Sequence, residues 1–209
     1  MIIGITGLIG SGKDTIASHL VEKYNYERYS WAIPLKDITA QLFGWDRDML
    51  EGTTQSQRLE REITDEWWSS KLNKNWSPRY ALQFIGTEVM RNALHPDIWI
   101  LAGMKRIAGK TNVVIPDTRF PNEIKAIKEM GGVIWNVQRG SLPEWYNALT
   151  KFKETPNVTF ELIEWYMKEN FPSVHASEYS WHGTKFDAVF YNNETIDRLK
   201  HSIDSVIGN

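Results

Sequence analysis

Short apolar runs alternate along the chain with segments in which apolar residues recur every three or four positions. The run at positions 1–6 predicts a buried strand, and the pattern at 13–24 predicts a helix that follows a glycine-rich loop. A second extended stretch, 26–31, precedes Pro34, which suits the first turn of a helix that Gly44 would end. The chain is therefore expected to begin with a strand, a loop, a helix and a second strand.

Three later runs have the β-branched composition of buried parallel strands. They read "NVVIPD", "GGVIWNVQR" and "DAVFYN", and helical patterns separate each run from the next. With the first two strands they make about five, alternating with helices. The pattern therefore predicts a three-layer α/β fold with a parallel sheet flanked by helices, and the length of 209 residues fits a single domain, 1–209.

The stretch 34–95 predicts a helical region between the second and third strands. Within it, "QSQRLERE" favours one exposed helix, and "WSPRYALQFIGTEVMRNAL" favours one long amphipathic helix with Ser77 as its cap. Four polar residues follow one another at four-residue intervals on the long helix: Arg79, Gln83, Thr87 and Arg91. This stripe, beside the apolar Leu82, Ile85 and Val89, is either a solvated face or a set of groups for a phosphate and a base edge.

The stretch 140–185 is too long for a plain connection between the fourth and fifth strands. Its middle, "NVTFELIEWYMKENF", has helical spacing, and its flanks are rich in proline, serine and aromatic residues. Two interpretations stay open, a mobile lid and a static helical excursion that covers the sheet.

Charge and composition exclude several classes of partner. The 24 basic and 26 acidic residues are mixed along the chain, so we expect no nucleic-acid polymer as a partner. No apolar stretch approaches the roughly 20 residues that span a bilayer, so we expect no membrane partner either. The absence of cysteine is compatible with a reducing cytoplasm, which we take as the expected location.

The strongest motif is the loop "GLIGSGKDT" at 7–15, which fits the phosphate-loop pattern G-x-x-x-x-G-K-[ST] except at its last position. In such a loop, the backbone amides around Gly10, Ser11 and Gly12 surround phosphate oxygens, and the following helix adds its positive end. Lys13 would pair with the β and γ phosphates. The loop follows a predicted strand and opens a predicted helix, so it predicts nucleotide binding.

Asp14 stands where the pattern expects a hydroxyl that binds magnesium. Its carboxylate is either a metal ligand, direct or through water, or an acidic residue favoured in the first helical turn by the helix dipole. Thr15 offers a second oxygen for the ion or the α-phosphate. Both residues are therefore candidate metal ligands.

The motif "VVIPDTRFPNE" places Asp117 and Arg119 at the carboxyl end of a predicted buried strand, where open α/β sheets bind ligands. Asp117 could hold the hydration shell of magnesium or orient an attacking oxygen, and Arg119 could neutralise a phosphate during transfer. The alternative is an ion pair, or a turn capped by Asp117 before a helix at Pro121. Lys36, Arg58 and Arg139 are single cations that could meet phosphates.

Several motifs together resemble the deoxynucleoside monophosphate kinase family of tailed bacteriophages. They occur in the family's order: "SGKDT", "PLKD", "EG", "QRLERE", "WSPRYALQFIGTE", "DIW", "PDTRFPNE", "VQR" and "HASE". The resemblance covers nearly the whole chain and is weakest over 140–185. It implies a phosphate-loop fold of the nucleoside-monophosphate-kinase type and Mg²⁺-dependent transfer of the γ-phosphoryl group of ATP to a deoxynucleoside monophosphate. A phage-encoded chain would act in the host cytoplasm.

The resemblance also implies roles for individual residues. ATP would be bound by Gly10, Ser11, Gly12, Lys13, Asp14 and Thr15, together with Arg139 in a place like that of a lid arginine and Asn192 near adenine. The monophosphate would be bound by Lys36, Arg58, Arg79, Gln83, Gly86, Thr87, Trp99, Asp117, Arg119 and Glu123. Lys13, Asp117 and Arg119 would be the catalytic residues.

Other functions stay open at this point. A kinase of the same fold could act on dephospho-coenzyme A or a nucleoside, and a nucleotide-dependent switch is a further alternative. The accepted base and the oligomeric state are also open, with a homodimer as one option.

Overall fold

A computed structural model describes residues 1–208 of the chain. These residues form two compact units. The first, which we call the sheet unit, combines Met1–Tyr29 with the stretch from Gly109 to the carboxyl end; the second, the helical unit, is Ser30–Ala108. The region predicted to be helical, 34–95, lies within the helical unit.

The sheet unit contains five parallel strands, as the apolar runs predict. They are β1 (Ile2–Thr6), β2 (Glu27–Arg28), β3 (Val113–Ile115), β4 (Val133–Gln138) and β5 (Ala188–Tyr191), in the order β2-β3-β1-β4-β5. The strand expected at 26–31 is reduced to two exposed residues that pair only with β3 at the edge of the sheet. β1 is fully buried between β3 and β4, so the loop that follows it lies at the centre of the sheet's edge.

Helices cover both faces of this sheet. The unit's helices are α1 (Lys13–Tyr24), α8 (Pro121–Glu129), α9 (Glu144–Lys153), α10 (Phe160–Asn170), α11 (Ala176–Tyr179) and α12 (Ile196–Ile207). Ile3 and Ile5 of β1 point to one face and form a core with residues of α1 and α12. Gly4 points to the other face, where Ile127 of α8 packs closely against it. The predicted three-layer α/β architecture is confirmed.

The helical unit contains α2 (Ile33–Phe43), α3 (Arg47–Glu51), α4 (Gln55–Glu60), α5 (Glu66–Leu72), α6 (Pro78–Gln83), a π-helix (Phe84–Arg91) and α7 (Ile98–Ile107). The predicted helix before Gly44 is confirmed, with Pro34 in its first turn. The exposed helix expected over "QSQRLERE" is α4, which a capping box of Thr54 and Gln57 starts and which ends at Glu60.

The helix expected after Ser77 runs without a break from Pro78 to Arg91, but it is α-helical only over the six residues of α6 and then becomes the π-helix. The wider π-helical turn bonds each amide to the carbonyl five residues earlier, as Asn92 N–H does to Thr87 O at 2.9 Å. The longer repeat rotates the later residues around the helix axis. Val89, expected on the apolar face with Leu82 and Ile85, is therefore exposed.

The stretch 140–185, which we call the helical excursion, contains α9, α10 and α11. Five buried residues give it a core of its own: Trp145, Leu149, Ile163, Met167 and Tyr179. Leu8 of the glycine-rich loop packs against this core, so the excursion is joined to the loop. Within residues 1–208, no helix combines the length and the apolar character that crossing a membrane requires.

Candidate active site

The glycine-rich loop runs from the end of β1 at Thr6 to the start of α1 at Lys13. Its first residue, Gly7, has a φ of 144°, and a Cβ placed there would stand 2.4 Å from the backbone oxygen of Val137 in β4. Only glycine allows the loop to lie this close to the neighbouring strand. The loop thus leaves β1 in a fixed direction and leads into the positive end of α1.

Lys13 folds back over this loop. Its Nζ donates hydrogen bonds to the carbonyl oxygens of Gly7 and Leu8, both at 2.8 Å. An ammonium group has three N–H donors, so two of them shape the loop and one is left for a ligand. Burial, and after it the positive charge of Arg119, lowers the pKa of Lys13 below its ordinary value. Geometry also brings Arg119 to the loop, because Glu178 accepts the backbone N–H of Ile9 through one carboxylate oxygen and lies 3.5 Å from Nη1 of Arg119 through the other.

Asp14 projects from the first turn of α1 with 79% of its side chain exposed. Its carboxylate forms an ion pair with Arg28, the last residue of β2 at the edge of the sheet. Among residues 1–208, no group of three or more acidic or histidine side chains is gathered for a metal ion. A magnesium ion here would need further oxygen ligands, such as water or the phosphate oxygens of a bound ligand.

A cavity of about 290 Å³ opens beside the loop and the first turn of α1. Its lining contains Gly10, Gly12, Lys13, Asp14, Thr15, Arg139, Asn192, Glu194 and Ile196. The structure thus brings Arg139 and Asn192 to the cavity beside the loop. Their predicted roles toward the ATP phosphates and adenine stay predictions. Glu194 and Ile196 also line the cavity but were not among the predicted site residues. They follow β5, and ligands of open α/β sheets bind at the carboxyl ends of the strands, so their position in the sequence could have indicated them.

Asn192 contacts the loop itself. Its side-chain nitrogen donates to the carbonyl oxygen of Ser11 at 2.9 Å, and its backbone N–H donates to Gln138 O at 2.8 Å. The residue therefore joins the end of β5 to both β4 and the loop. The Oγ of Ser11 is buried and has no hydrogen-bond partner among residues 1–208.

The segment after β3 carries Asp117, Arg119 and Glu123, as predicted. Asp117 is half-buried two residues beyond the strand, and Pro121 starts α8. Glu123 is buried, and one of its carboxylate oxygens accepts the backbone N–H of Arg119 at 2.7 Å and that of Phe120 at 3.1 Å. In this structure Glu123 therefore holds the turn that carries Arg119.

The remaining predicted residues lie in the helical unit. Lys36 pairs with Glu51 at 2.6 Å, and Arg58 donates to the carbonyl oxygen of Gly52 at 2.9 Å. Gln83 and Thr87 are exposed, as are the two arginines of the predicted stripe. Lys36 and Arg58 are therefore already held by groups of the "EG" motif, and the stripe faces solvent.

Gly86 and Trp99 are buried in the helical unit. Trp99 donates from its ring Nε1 to the carbonyl oxygen of Gly86 at 2.9 Å, and a Cβ on Gly86 would stand 2.9 Å from a methyl group of Leu35. Both residues thus pack the interior of the unit. Their predicted role in the monophosphate pocket stays a prediction.

Arg61 is a cation that the sequence analysis missed. Its guanidinium lies over Gly52, where an added Cβ would stand 2.4 Å from the central carbon. Burial, followed by the positive charge of Arg79, lowers the pKa of Arg61, and Arg58 has the same effect. Arg58 also contacts Gly52, and the backbone N–H of Arg79 donates to the carbonyl oxygen of Arg61 at 2.9 Å, so the three arginines belong to one region of the helical unit. Grouped guanidinium groups suit a phosphate dianion.

Comparison with known proteins identifies relatives of one family. The family described as deoxynucleotide monophosphate kinase has a model that matches residues 46–147. The chain is 28% identical to a protein provisionally named deoxynucleotide monophosphate kinase from Acanthamoeba polyphaga mimivirus, over 100% of this chain and 97% of that protein. It is also 28% identical to the deoxynucleoside-5'-monophosphate kinase of Escherichia phage T5, over 62% of this chain and 72% of that enzyme. These matches confirm the predicted resemblance, and both relatives are named as kinases, which are phosphotransferases, the predicted enzyme class.

A comparison of structures finds shikimate kinase from Bacteroides thetaiotaomicron, 12% identical, with a TM-score of 0.43 over 100% of this chain and 99% of that one. A likeness this distant carries no argument about the function. The fold assignment rests instead on the parallel sheet of this chain and on the loop between β1 and α1.

Proposed function

We propose, from the premise that this chain is related to the deoxynucleotide monophosphate kinases, that it transfers the γ-phosphoryl group of ATP to a deoxynucleoside 5'-monophosphate. The observation that carries the proposal is the loop itself, with Lys13 folded over it and Arg119 near that lysine. A phosphoryl group in transfer spreads negative charge over its oxygens, and two nearby cations stabilise this charge. The product would be the nucleoside diphosphate.

The residues around the cavity fit ATP. The loop amides and the first turn of α1 suit the β and γ phosphates, since backbone N–H groups and the helix dipole favour anions there. Lys13 keeps one N–H donor for a phosphate oxygen, and Arg139 lines the same cavity. Asn192 lines the cavity too and supports the loop by its bond to the carbonyl oxygen of Ser11.

Asp14 and Thr15 would hold Mg²⁺ together with phosphate oxygens of the nucleotide. The exposed carboxylate of Asp14 is a hard oxygen ligand of the type that magnesium prefers. The ion, when bound, neutralises part of the charge of the phosphates. Arg28 would then have to share Asp14 with the metal ion, because the two are paired in this structure.

The helical unit has cations that would suit an acceptor phosphate. Arg58 and Arg61 both lie at Gly52, and the backbone N–H of Arg79 donates to the carbonyl oxygen of Arg61. Repulsion between these cations, which lowers the pKa of Arg61, would be relieved by a bound anion. Gln83 has the amide that could read a base edge. An acceptor phosphate is already an oxyanion, so alignment and charge stabilisation suffice and a strong base is unnecessary.

A panel of acceptors tests the proposal. The protein is mixed with ATP, Mg²⁺ and one acceptor at a time, and release of ADP is measured. The panel contains the four deoxynucleoside monophosphates, their ribose forms, dephospho-coenzyme A and nucleosides. We expect turnover with at least one deoxynucleoside monophosphate. Turnover only with dephospho-coenzyme A or a nucleoside would overturn the proposed acceptor, and acceptor-independent hydrolysis would favour a nucleotide-dependent switch.

The variant Lys13→Ala tests the role of the loop. We expect at least a 100-fold loss of kcat, since one charged group aimed at the transferred phosphate is removed. Lys125→Ala is the matched control, because that lysine is 77% exposed on α8 of the same unit. Full activity of Lys13→Ala would refute the assignment of the loop.

A further inference from the structure

Glu178 of α11 connects two parts of the sheet unit that lie far apart in the sequence. One of its carboxylate oxygens, Oε2, accepts the backbone N–H of Ile9 at the tip of the loop at 3.0 Å. The other, Oε1, lies 3.5 Å from a terminal nitrogen of Arg119. The two oxygens thus serve two different partners, one on the loop and one on the segment after β3.

A second contact holds the same guanidinium nitrogen. Nη1 of Arg119 donates to the hydroxyl oxygen of Ser177 at 3.0 Å, and that oxygen lies 2.9 Å from Nδ1 of His175. The backbone N–H of Ser177 also donates to Nδ1 of His175 at 3.2 Å, so this nitrogen is the acceptor. The hydroxyl can therefore accept from Arg119 while it donates to His175. His175, Ser177 and Glu178 all belong to the motif "HASE".

The loop is also fixed from the apolar side. Leu8 packs against the core of the helical excursion, and Tyr179, next to Glu178, is part of that core. Tyr179 is 6% exposed and Ser177 is 9% exposed, so the short helix α11 is embedded in the unit. The support of Glu178 is therefore a packed element and not a loose surface turn.

A carboxylate beside a transferred phosphate would be unfavourable unless cations or N–H donors satisfied it. Both oxygens of Glu178 have such partners, and its negative charge balances the neighbouring Lys13 and Arg119. An arginine side chain otherwise samples many rotamers, and ordering it before the reaction removes that cost from the transition state. The contacts thus explain why an acidic residue stands close to an anion-binding loop.

We infer that Glu178 is a positioning residue that fixes the guanidinium of Arg119 relative to the tip of the phosphate loop. It acts through Arg119 and does not touch the nucleotide. The inference rests on the proposed function, in which Arg119 stabilises the phosphoryl group in transfer. Ser177 shares the task through its hydroxyl group.

The test compares Glu178→Gln and Glu178→Ala with the control Glu169→Gln, which changes an exposed glutamate of the same excursion. The glutamine keeps an oxygen for Ile9 but loses the charge that holds Arg119. We expect kcat to fall about tenfold or more in Glu178→Gln and further in Glu178→Ala, with KM for ATP within about twofold of the wild type. The control should match the wild type. A wild-type kcat in Glu178→Ala would overturn the inference.

A double-mutant cycle separates positioning from general support of the loop. In the Arg119→Ala background, Glu178→Gln should change kcat by less than about twofold, because the group through which it acts is gone. An equal fold loss in both backgrounds would show that Glu178 acts on the loop alone and would overturn the inference.

A spectroscopic measurement keeps the inference testable if the proposed function fails. The side-chain ¹⁵Nε–H signal of Arg119 reports the order of its guanidinium in the protein without nucleotide. We expect a high heteronuclear NOE in the wild type and in Glu169→Gln, and a lower one in Glu178→Ala. An unchanged NOE in Glu178→Ala would refute the positioning role, whichever acceptor the enzyme uses.

Discussion

Replacement of Gly7 by alanine tests the close contact between the loop and β4. The new Cβ would stand 2.4 Å from the backbone oxygen of Val137 and 2.8 Å from Oγ of Ser11. Val137 lies in β4, which is paired on both sides, so its oxygen is unable to move away. Ser11 is 2% exposed and has no space to retreat into. The loop itself must therefore shift.

The magnitude has two contributions. An alanine at a φ of 144° costs roughly 1–3 kcal/mol of backbone strain, because this region is adopted almost only by glycine. Overpacking against fixed atoms adds about 1–3 kcal/mol. Gly7→Ala should thus lower the free energy of unfolding by roughly 2–6 kcal/mol, which for a chain of this size lowers Tm by about 4–24 °C.

The matched control is Gly10→Ala. Gly10 also has a positive φ, 76°, but a Cβ placed there meets no atom within 4 Å among the described residues. Only the strain of roughly 1–2 kcal/mol should remain. Urea and thermal unfolding, followed by circular dichroism, compare the two variants, and binding of a fluorescent ATP analogue reports the shape of the loop. Equal stabilities of Gly7→Ala and Gly10→Ala would refute the argument from the contact with Val137.

Three further outcomes can be checked. Asp14→Ser should change the Mg²⁺ or Mn²⁺ concentration that gives half-maximal turnover. If this concentration does not change, Asp14 is not a metal ligand and only its favourable interaction with the helix dipole remains. Hydrogen bonds, the strongest of them from Lys23, hold the pKa of Asp204 below its ordinary 3.8. The ionised carboxylate therefore stabilises the fold above pH 3.8, and this stabilisation is lost as the pH falls through the lower pKa of the folded state. Asp204→Asn should therefore lower Tm at pH 7, and the difference in Tm between variant and wild type should become smaller as the pH falls below about 3.8. A difference in Tm that stays the same at low pH would contradict this. Trp99→Phe should cost about 1–3 kcal/mol in chemical unfolding, since the buried carbonyl of Gly86 loses its donor; an unchanged stability would argue against that bond.

The sequence was sufficient to predict the centre of the sheet because β1, β3 and β4 are buried on both faces and therefore read as continuous apolar runs. β1 shows this most clearly, with all five residues buried. β2 was harder to predict, because two exposed residues at the sheet edge carry little apolar signal. The π-helix was missed because the spacing of apolar residues over this segment fits a regular α-helix and gives no sign of the wider turn.

The parts of the candidate site whose residues are adjacent in the sequence could be predicted from a local motif. The loop with Lys13 is such a case, because its glycines and its cation are adjacent in sequence. The bond between Glu178 and Ile9 joins residues 169 positions apart, and nothing in the local pattern of either predicts the other. Arg61 was missed for a similar reason, since its place over Gly52 follows from the turn between α3 and α4.

The hydrogen bond from Asn192 to Ser11 joins two residues 181 positions apart, and this distance has a consequence for synthesis. Both strands that pair with β1, namely β3 and β4, come later in the chain, and the residue that clamps the loop comes later still. A growing chain therefore exposes its phosphate loop early and completes it only after β5 has left the ribosome. A ligand of the loop should stabilise the finished protein and give little protection to nascent or stalled chains.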